Sequence, residues 1–219
     1  MQGGNISASH PHLHHDPVYD CTFCQHSTIS HNILKETENF YLLADYAPLV
    51  EGHLLIVPKN HYACYGALPA TYDQELQACK DEVARFQTHF YTAPTYWEHG
   101  VFHQTVFHAH LHCFPFGDVQ YHSSSQRHQK ILSSQDELRN WYGAKGHYFF
   151  LQIAHQKLLF APDEDDYRYV IQSIFHPGIA NRIPNAIRRT SLQRQAEGQP
   201  LIDSLFANWR LFQRQEEKV

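Results

Sequence analysis

No apolar run in this chain approaches the ~20 residues that a membrane-spanning helix needs. The opening segment, MQGGNISASHPHLHHDP, has neither the basic start nor the apolar stretch of a secretory signal, so the expected compartment is the cytoplasm. Charge is sparse: Asp, Glu, Lys and Arg make up 18% of the residues, and the formal net charge is −5 with histidine neutral. A general nucleic-acid groove needs a broad Lys/Arg surface to displace counterions, so that class is not expected, and an anionic ligand must be held by a local site. A disulfide framework is not expected either. The five cysteines, Cys21, Cys24, Cys64, Cys79 and Cys113, are odd in number and follow no signal peptide. Cys64, Cys79 and Cys113 stand in apolar or mixed contexts and read as small buried residues.

What is plentiful is hydrophobic and aromatic. These classes make up 42% and 14% of 219 residues, enough for a real core in one large domain, or in one ordinary domain with an extension. Residues 1–17 are polar and rich in Gly, Ser and His (His10, His12, His14, His15); they read as a disordered tail, with loose metal binding as the alternative. FYLLAD and HLLIVPK are short apolar runs joined by a Pro- and Gly-containing connection, which predicts an antiparallel strand pair. Leu76, Cys79, Val83, Phe86 and Phe90 recur at spacings of three and four and predict an amphipathic helix with Thr71 as its cap. TYWEHGVF and HQTVFHAHLHCFPF read as two more strands with a turn between them. Strand, strand, helix, strand, strand makes an α+β domain over residues 18–118.

Residues 119–219 read as an α/β extension packing on that domain. A polar linker, QYHSSSQRHQKILSSQDEL, leads into a helical start, and GHYFFLQIAHQKLLFAP predicts a hairpin. DEDDYRYVIQSIF predicts a helix with acidic residues where the dipole favours them. RIPNAIRRTSLQRQ and LIDSLFANWRLFQRQEE close the chain as two helices. The cluster Arg182, Arg188, Arg189 and Arg194 reads as a solvated helix face, with a polyphosphate or nucleic-acid contact as the alternative.

Against a background of nineteen histidines, His108, His110 and His112 stand out because they alternate with Phe107, Ala109 and Leu111. In a strand, alternate side chains share a face about 6.5–7 Å apart, so the three imidazoles would form one row opposite a packed face. Such a row could bind a metal or handle phosphate. Gln104 and Thr105, just before it, suit phosphate oxygens. The pair Cys21 and Cys24 has the C-x2-C spacing of two zinc ligands, and needs two more.

HAHLHCF, preceded by QTV, resembles the signature of the histidine-triad (HIT) superfamily of nucleotide hydrolases and transferases. ETENFYLLADYAPLVEGHLLIVPKNHY is similar to that family's upstream segment, so the resemblance covers residues 18–118. It implies a HIT-like antiparallel sheet with flanking helices. It also implies that His110 attacks the α-phosphate of a small-molecule nucleotide and forms a covalent nucleotidyl-histidine. By the same resemblance His112 donates to the phosphate or leaving group, and Thr105 and Gln104 hold non-bridging oxygens. Asp45 accepts from the ribose hydroxyls, and Phe23 and Leu43 flank the base. His53 matches a histidine behind the triad, a position that a purely structural histidine also fits.

In the zinc-containing branch of the superfamily, His61 and His108 complete a structural Zn2+ site with Cys21 and Cys24; a reduced, metal-free pair is the alternative. Two features depart from the pattern: His103 stands where Gly is common, and Glu98-His99-Gly100 stands where Asn-x-Gly is common. The third histidine, retained where the transferases often have Gln, favours hydrolysis. The implied activity is cleavage of a dinucleoside polyphosphate, phosphoramidate or nucleotidyl conjugate. A nucleotidyltransferase and a non-catalytic nucleotide- or RNA-binding module are the alternatives, and pairing of sheets into a homodimer is expected of the family.

Overall fold

The computed structural model describes residues 20–122, 128–183 and 190–217. The expected disordered tail and Arg188 and Arg189 of the basic cluster lie outside the described residues. Within them the strands are Ile33–Glu36 (β1), Phe40–Ala44 (β2), Leu54–Pro58 (β3), Thr95–Glu98 (β4), Leu111–Phe114 (β5), Gln129–Ile131 (β6), Phe149–Ile153 (β7) and Gln156–Phe160 (β8). They form one antiparallel sheet in the order β1-β2-β3-β5-β4-β7-β8-β6. The helices are His26–Ile29 (α1), Asp73–Phe90 (α2), Gln135–Lys145 (α3), Glu164–Val170 (α4), His176–Ala180 (α5) and Ser191–Glu216 (α6), with a π-helical segment, Ile171–Phe175, joining α4 to α5. The architecture is α+β, and among the described residues no helix is long and apolar enough to cross a membrane.

The two faces of the sheet are covered differently, and this positions the site. On one face Leu42, Leu54, Ile56, Tyr96, Leu111 and Cys113 meet Leu76, Cys79, Val83 and Phe86 of α2 and Ile202, Leu205, Trp209 and Phe212 of α6. On the other face the cover is in two pieces. Ile29, with Phe23 at its margin, packs on Leu43, Leu55 and Val57 at the β1–β3 end. Val170, Ile174, Phe175 and Ile179 pack on Trp97, Phe114, Phe149 and Leu151 at the β4–β8 end. The gap between the two pieces lies over β5.

The FYLLAD–HLLIVPK pair forms as β2 and β3, and GHYFFLQIAHQKLLFAP forms the β7–β8 hairpin. The acidic helix starts at Asp163, whose carboxylate accepts from the backbone N–H groups of Asp165 and Asp166. Four expectations are corrected. Thr71 caps nothing, because a 3-10 turn, Ala70–Tyr72, precedes α2 and its N-cap, Tyr72, makes no side-chain cap bond. The last strand of the triad half begins only at Leu111, so His103–His110 is irregular, and Phe107 points outward at 64% exposure instead of packing. The polar linker contributes β6, a strand too short to show periodicity. Finally, α6 runs through Pro200 as one helix: Ile202, Leu205, Trp209 and Phe212 dock on the core, and that packing outweighs the lost backbone bond.

Candidate active site and metal centre

His108 lies at a bend, and Ala109 and His110 follow it outside any strand, with the Ala109 N–H donating to the Tyr62 carbonyl at 2.6 Å. From Ala109 onward the alternation holds. Ala109 and Leu111 enter the core beneath the sheet, while His110 and His112 face a cavity of about 310 Å³ in the gap above β5.

Hydrogen-bond partners set the tautomer of each ring. A carbonyl only accepts, so the Nδ1 of His110, 2.7 Å from the His108 carbonyl, carries a proton, and its Nε2 keeps a lone pair. The Leu49 N–H donates to Nδ1 of His53 at 3.3 Å, so His53 Nε2 carries the proton and donates to Nδ1 of His112 at 3.0 Å. His112 is thereby left with a protonated Nε2. His53 is clamped further by stacking on Phe114, 4.2 Å between centroids, and by Asp45 Oδ2 at 3.7 Å. Burial depresses the basicity of every ring here. It takes His53 down to about 4 against the pull of Asp45, lowers His110, and takes His112 well below its ordinary value with help from the neighbouring imidazoles. These three rings are neutral at pH 7, so the cavity presents a basic nitrogen and an N–H donor a few ångströms apart.

Asp45, Phe23, His53, Thr105, His110 and His112 all line the cavity; Gln104 and Leu43 do not. Gln104 is buried and donates to the His108 carbonyl at 2.8 Å, sharing that oxygen with His110. Leu43 lies beneath, in the cluster that Phe23 packs on, and Leu55 takes the place at the wall. One Asp45 oxygen, Oδ1, accepts from the Ala47 N–H at 2.7 Å and shapes the loop to Leu49.

Several residues at the cavity were given no place in the site by the sequence, or, like His99 and His103, were marked only as departures from the pattern. His99 donates from Nδ1 to the Phe102 carbonyl at 3.2 Å, and its ring lies edge-on to His112. Burial lowers it to about 4. Its loop is strained, with positive φ at the non-glycine residues Val101 (79°) and His103 (56°). His103, unexplained by the family pattern, bonds from Nε2 to Glu164 at 2.7 Å and ties this loop to α4. Tyr167, Ile171 and Phe175 come from the helical segment after β8, and Ser191 and Arg194 from the start of α6. The residue spacing carries no signal for these contacts, since they join positions far apart in the chain. The π-helical turn, a type often found at functional sites, supplies Ile171 and Phe175. Arg194 is thus a cavity wall residue and not part of a solvated face. Arg182 pairs with Asp118 at 2.6 Å over the Phe116 ring.

The second cluster lies behind Phe23. Cys21, Cys24, His61 and His108 bring their ligand atoms within 4.8 Å of one another. His108 Nδ1 is 3.4 Å from Cys21 Sγ and 3.5 Å from Cys24 Sγ, and His61 Nδ1 is 3.3 Å from Cys24 Sγ. Nε2 of His108 donates to the Pro58 carbonyl at 2.7 Å, which leaves the Nδ1 lone pair facing the two sulfurs. A tetrahedral zinc with ordinary bond lengths spaces N and S about 3.6 Å apart, so a small ion fits with little adjustment. The cluster could hold a metal ion. Phe23, between the two cysteines, rests its ring 5.6 Å from that of His108 and 5.4 Å from that of His110.

Comparison with known proteins gives the following. A HIT family hydrolase from Clostridium thermocellum is 24% identical, covering 49% of this chain and 98% of its own, with a TM-score of 0.39. A zinc-bound histidine triad family protein from Mycobacterium smegmatis is 24% identical over 57% of this chain and 94% of its own, with a TM-score of 0.37. A hypothetical histidine triad nucleotide-binding protein from Sulfolobus tokodaii is 19% identical over 74% of this chain and 93% of its own, with a TM-score of 0.39. No curated protein matches. Residues 9–129, more than half of the chain, match the family described as "Protein similar to CwfJ C-terminal". The chain belongs to that family.

Proposed function

We propose that this protein binds a nucleoside phosphate derivative and cleaves it at the α-phosphate through a covalent nucleotidyl-His110. The observation that carries the reading is the short bond from His110 Nδ1 to the His108 carbonyl: in the neutral ring that burial favours, it puts the proton on Nδ1 and leaves Nε2 as the lone-pair nitrogen of a residue lining the cavity. In the first step that lone pair attacks phosphorus, an N–P bond forms, and the bond to the leaving group breaks with its electron pair. In the second, water attacks phosphorus and gives up a proton to solvent, the N–P bond breaks with its electron pair returning to Nε2, and the nucleoside monophosphate leaves. His112 Nε2–H, held in that tautomer by His53, donates to the phosphoryl oxygens as charge builds on them. Thr105 offers a hydroxyl at the same wall. Gln104 acts from behind by fixing the shared His108 carbonyl. Asp45 Oδ2 takes the ribose hydroxyls, and Phe23 and Leu55 enclose the base, with Leu43 supporting them.

The metal in this reading is Zn2+ on Cys21, Cys24, His61 and His108. Four protein ligands leave no open position, so its contribution is structural.

Incubation with adenosine phosphoramidate or a dinucleoside polyphosphate is expected to give an acid-labile nucleotidyl adduct by intact mass, absent in His110→Ala. An adduct that persists in that variant would overturn the assignment of the nucleophile. An adduct that water does not resolve but a second acceptor does would make the enzyme a transferase. No adduct and no turnover, with binding retained, would make it a binding module.

A further inference from the structure

We infer that Arg194 and Ser191 form a subsite for a second phosphate, carried on the 2′ or 3′ hydroxyl of the ribose, so that the preferred ligand is a ribose-phosphorylated nucleotide. This rests on the nucleotide reading above. The cavity has anion-handling groups in two places. His110, His112 and Thr105 stand at the triad, while Arg194 and Ser191 stand against the loop that follows Asp45. Arg194 is the only Lys or Arg among the described residues that line the cavity.

Its position is built by packing. Ser191, Arg194 and Gly198 share one face of α6 at spacings of three and four. Gly198 lets that face come close, since a Cβ there would lie 2.7 Å from Pro48 Cδ. Ser204 then donates to Glu51 at 2.6 Å, and Ile202 and Leu205 anchor the helix in the core. Pressed onto the loop in this way, Arg194 donates from Nε to the Ala47 carbonyl at 3.4 Å and from Nη2 to Ser191 Oγ at 3.1 Å. The Ala47 N–H in turn bonds Asp45 Oδ1. The guanidinium therefore hangs on the loop whose carboxylate takes the ribose hydroxyls. Its charge also reaches His53, whose protonation it opposes.

A carboxylate suits a free hydroxyl, and an adjacent arginine suits the same position once phosphorylated, because its planar fork matches phosphate oxygens. The 5′ phosphate belongs at His110 and His112, next to Asp45, whose carboxylate lies within 4.8 Å of the facing His112 and His53 nitrogens, and Arg194 reaches the far side of that carboxylate's loop through Ala47. The ligand this describes is a nucleotide whose 5′ phosphate reaches the triad and whose ribose bears a phosphomonoester.

Calorimetric titration of the full chain tests this with the product-like 5′-AMP and 5′-GMP and their 2′- and 3′-phosphorylated counterparts, and with ADP and GDP titrated into His110→Ala, which cannot turn them over. One charge-assisted contact is worth about tenfold, so at least one ribose-phosphorylated nucleotide should bind about tenfold more tightly than its parent. In Arg194→Gln that ratio should collapse toward one, and in Arg194→Lys, which keeps the charge but not the fork, part of it should remain. A wild-type ratio near one, or a ratio unchanged in Arg194→Gln, overturns the inference. So does an equal gain with ADP or GDP, which would place Arg194 on the 5′ chain. If none of these nucleotides binds, the nucleotide reading itself fails and this inference fails with it.

Discussion

Glu98, in the stretch where the sequence departs from the HIT pattern, has a structural task in this fold. Its carboxyl is 2% exposed and accepts from the Tyr65 N–H and the Tyr148 hydroxyl, each at 2.7 Å, so it ties three segments together beneath the sheet. Burial raises its pKa to about 7 despite those two donors. Unfolded, the group ionises near 4.5, so between 4.5 and about 7 the folded chain holds the extra proton. Its contribution to stability is complete below 4.5 and declines as pH rises through 7, by on the order of 3 kcal/mol. The wild type should therefore lose more melting temperature between pH 5 and pH 8 than Glu98→Gln does; parallel curves in thermal melts would exclude this. His53 and His99, both lowered to about 4 by burial, act with the opposite sign: the stability they contribute is lost as pH falls from 6.5 to about 4. Thermal melts over that range should show acid destabilisation that is smaller in His99→Phe. At this scale the sequence was legible where a residue type had a partner at fixed spacing, as in His108, His110 and His112. It marked Glu98 and His99 only as departures from the family pattern and read Arg194 as a solvated face first, because the partners of Glu98 and Arg194 lie dozens of residues away.

Among the elements, the short N-terminal turn depends most on something other than its own chain. Thr22–Cys24 is one 3-10 turn with no buried residue of its own, yet it presents Phe23 to the His108 and His110 rings. Sulfur ligation at both ends of the turn would hold it there, because local backbone bonds alone cannot order so short a piece. Removing zinc by chelation, or one ligand by Cys21→Ser, should lower the melting temperature by about 5 °C or more. Adduct formation at His110 should weaken in step. Equal zinc content in Cys21→Ser and wild type, or an unchanged melt, would remove the metal from this account. α2 was legible because its apolar residues recur at helical spacing, and β2, β3 and the β7–β8 hairpin because they are short apolar runs bounded by turn residues. β6 has three residues and no period, and α6 persists through Pro200 only because Ile202, Leu205, Trp209 and Phe212 find a core that no local pattern reveals.

On the scale of the whole molecule, the sheet does not stop at the triad half. β4 pairs with β5 on one side and with β7 on the other, and Trp97, Phe114 and Phe116 are covered by Phe149, Phe175 and Ile179 from the later part of the chain. A fragment of residues 18–118 would leave β4 as an unpaired edge and this aromatic cluster bare. Expressed alone, it should bind a hydrophobic dye and melt without cooperativity, whereas a sharp two-state melt would show that the later strands are dispensable. The later half also furnishes Tyr167, Ile171, Phe175, Ser191 and Arg194 to the cavity, so what the triad can admit is decided largely outside the motif that announces it. The cavity itself exists because two partial covers meet over β5 without closing. An open cleft of about 310 Å³ over the middle of a sheet leaves part of that face without protein neighbours. A bound ligand supplies the contacts that the chain withholds from itself, and so becomes, while it stays, a part of the hydrophobic layer. Ligand occupancy and conformational stability then draw on the same cleft. Any change that fills it from the walls would strengthen the fold and close the site together.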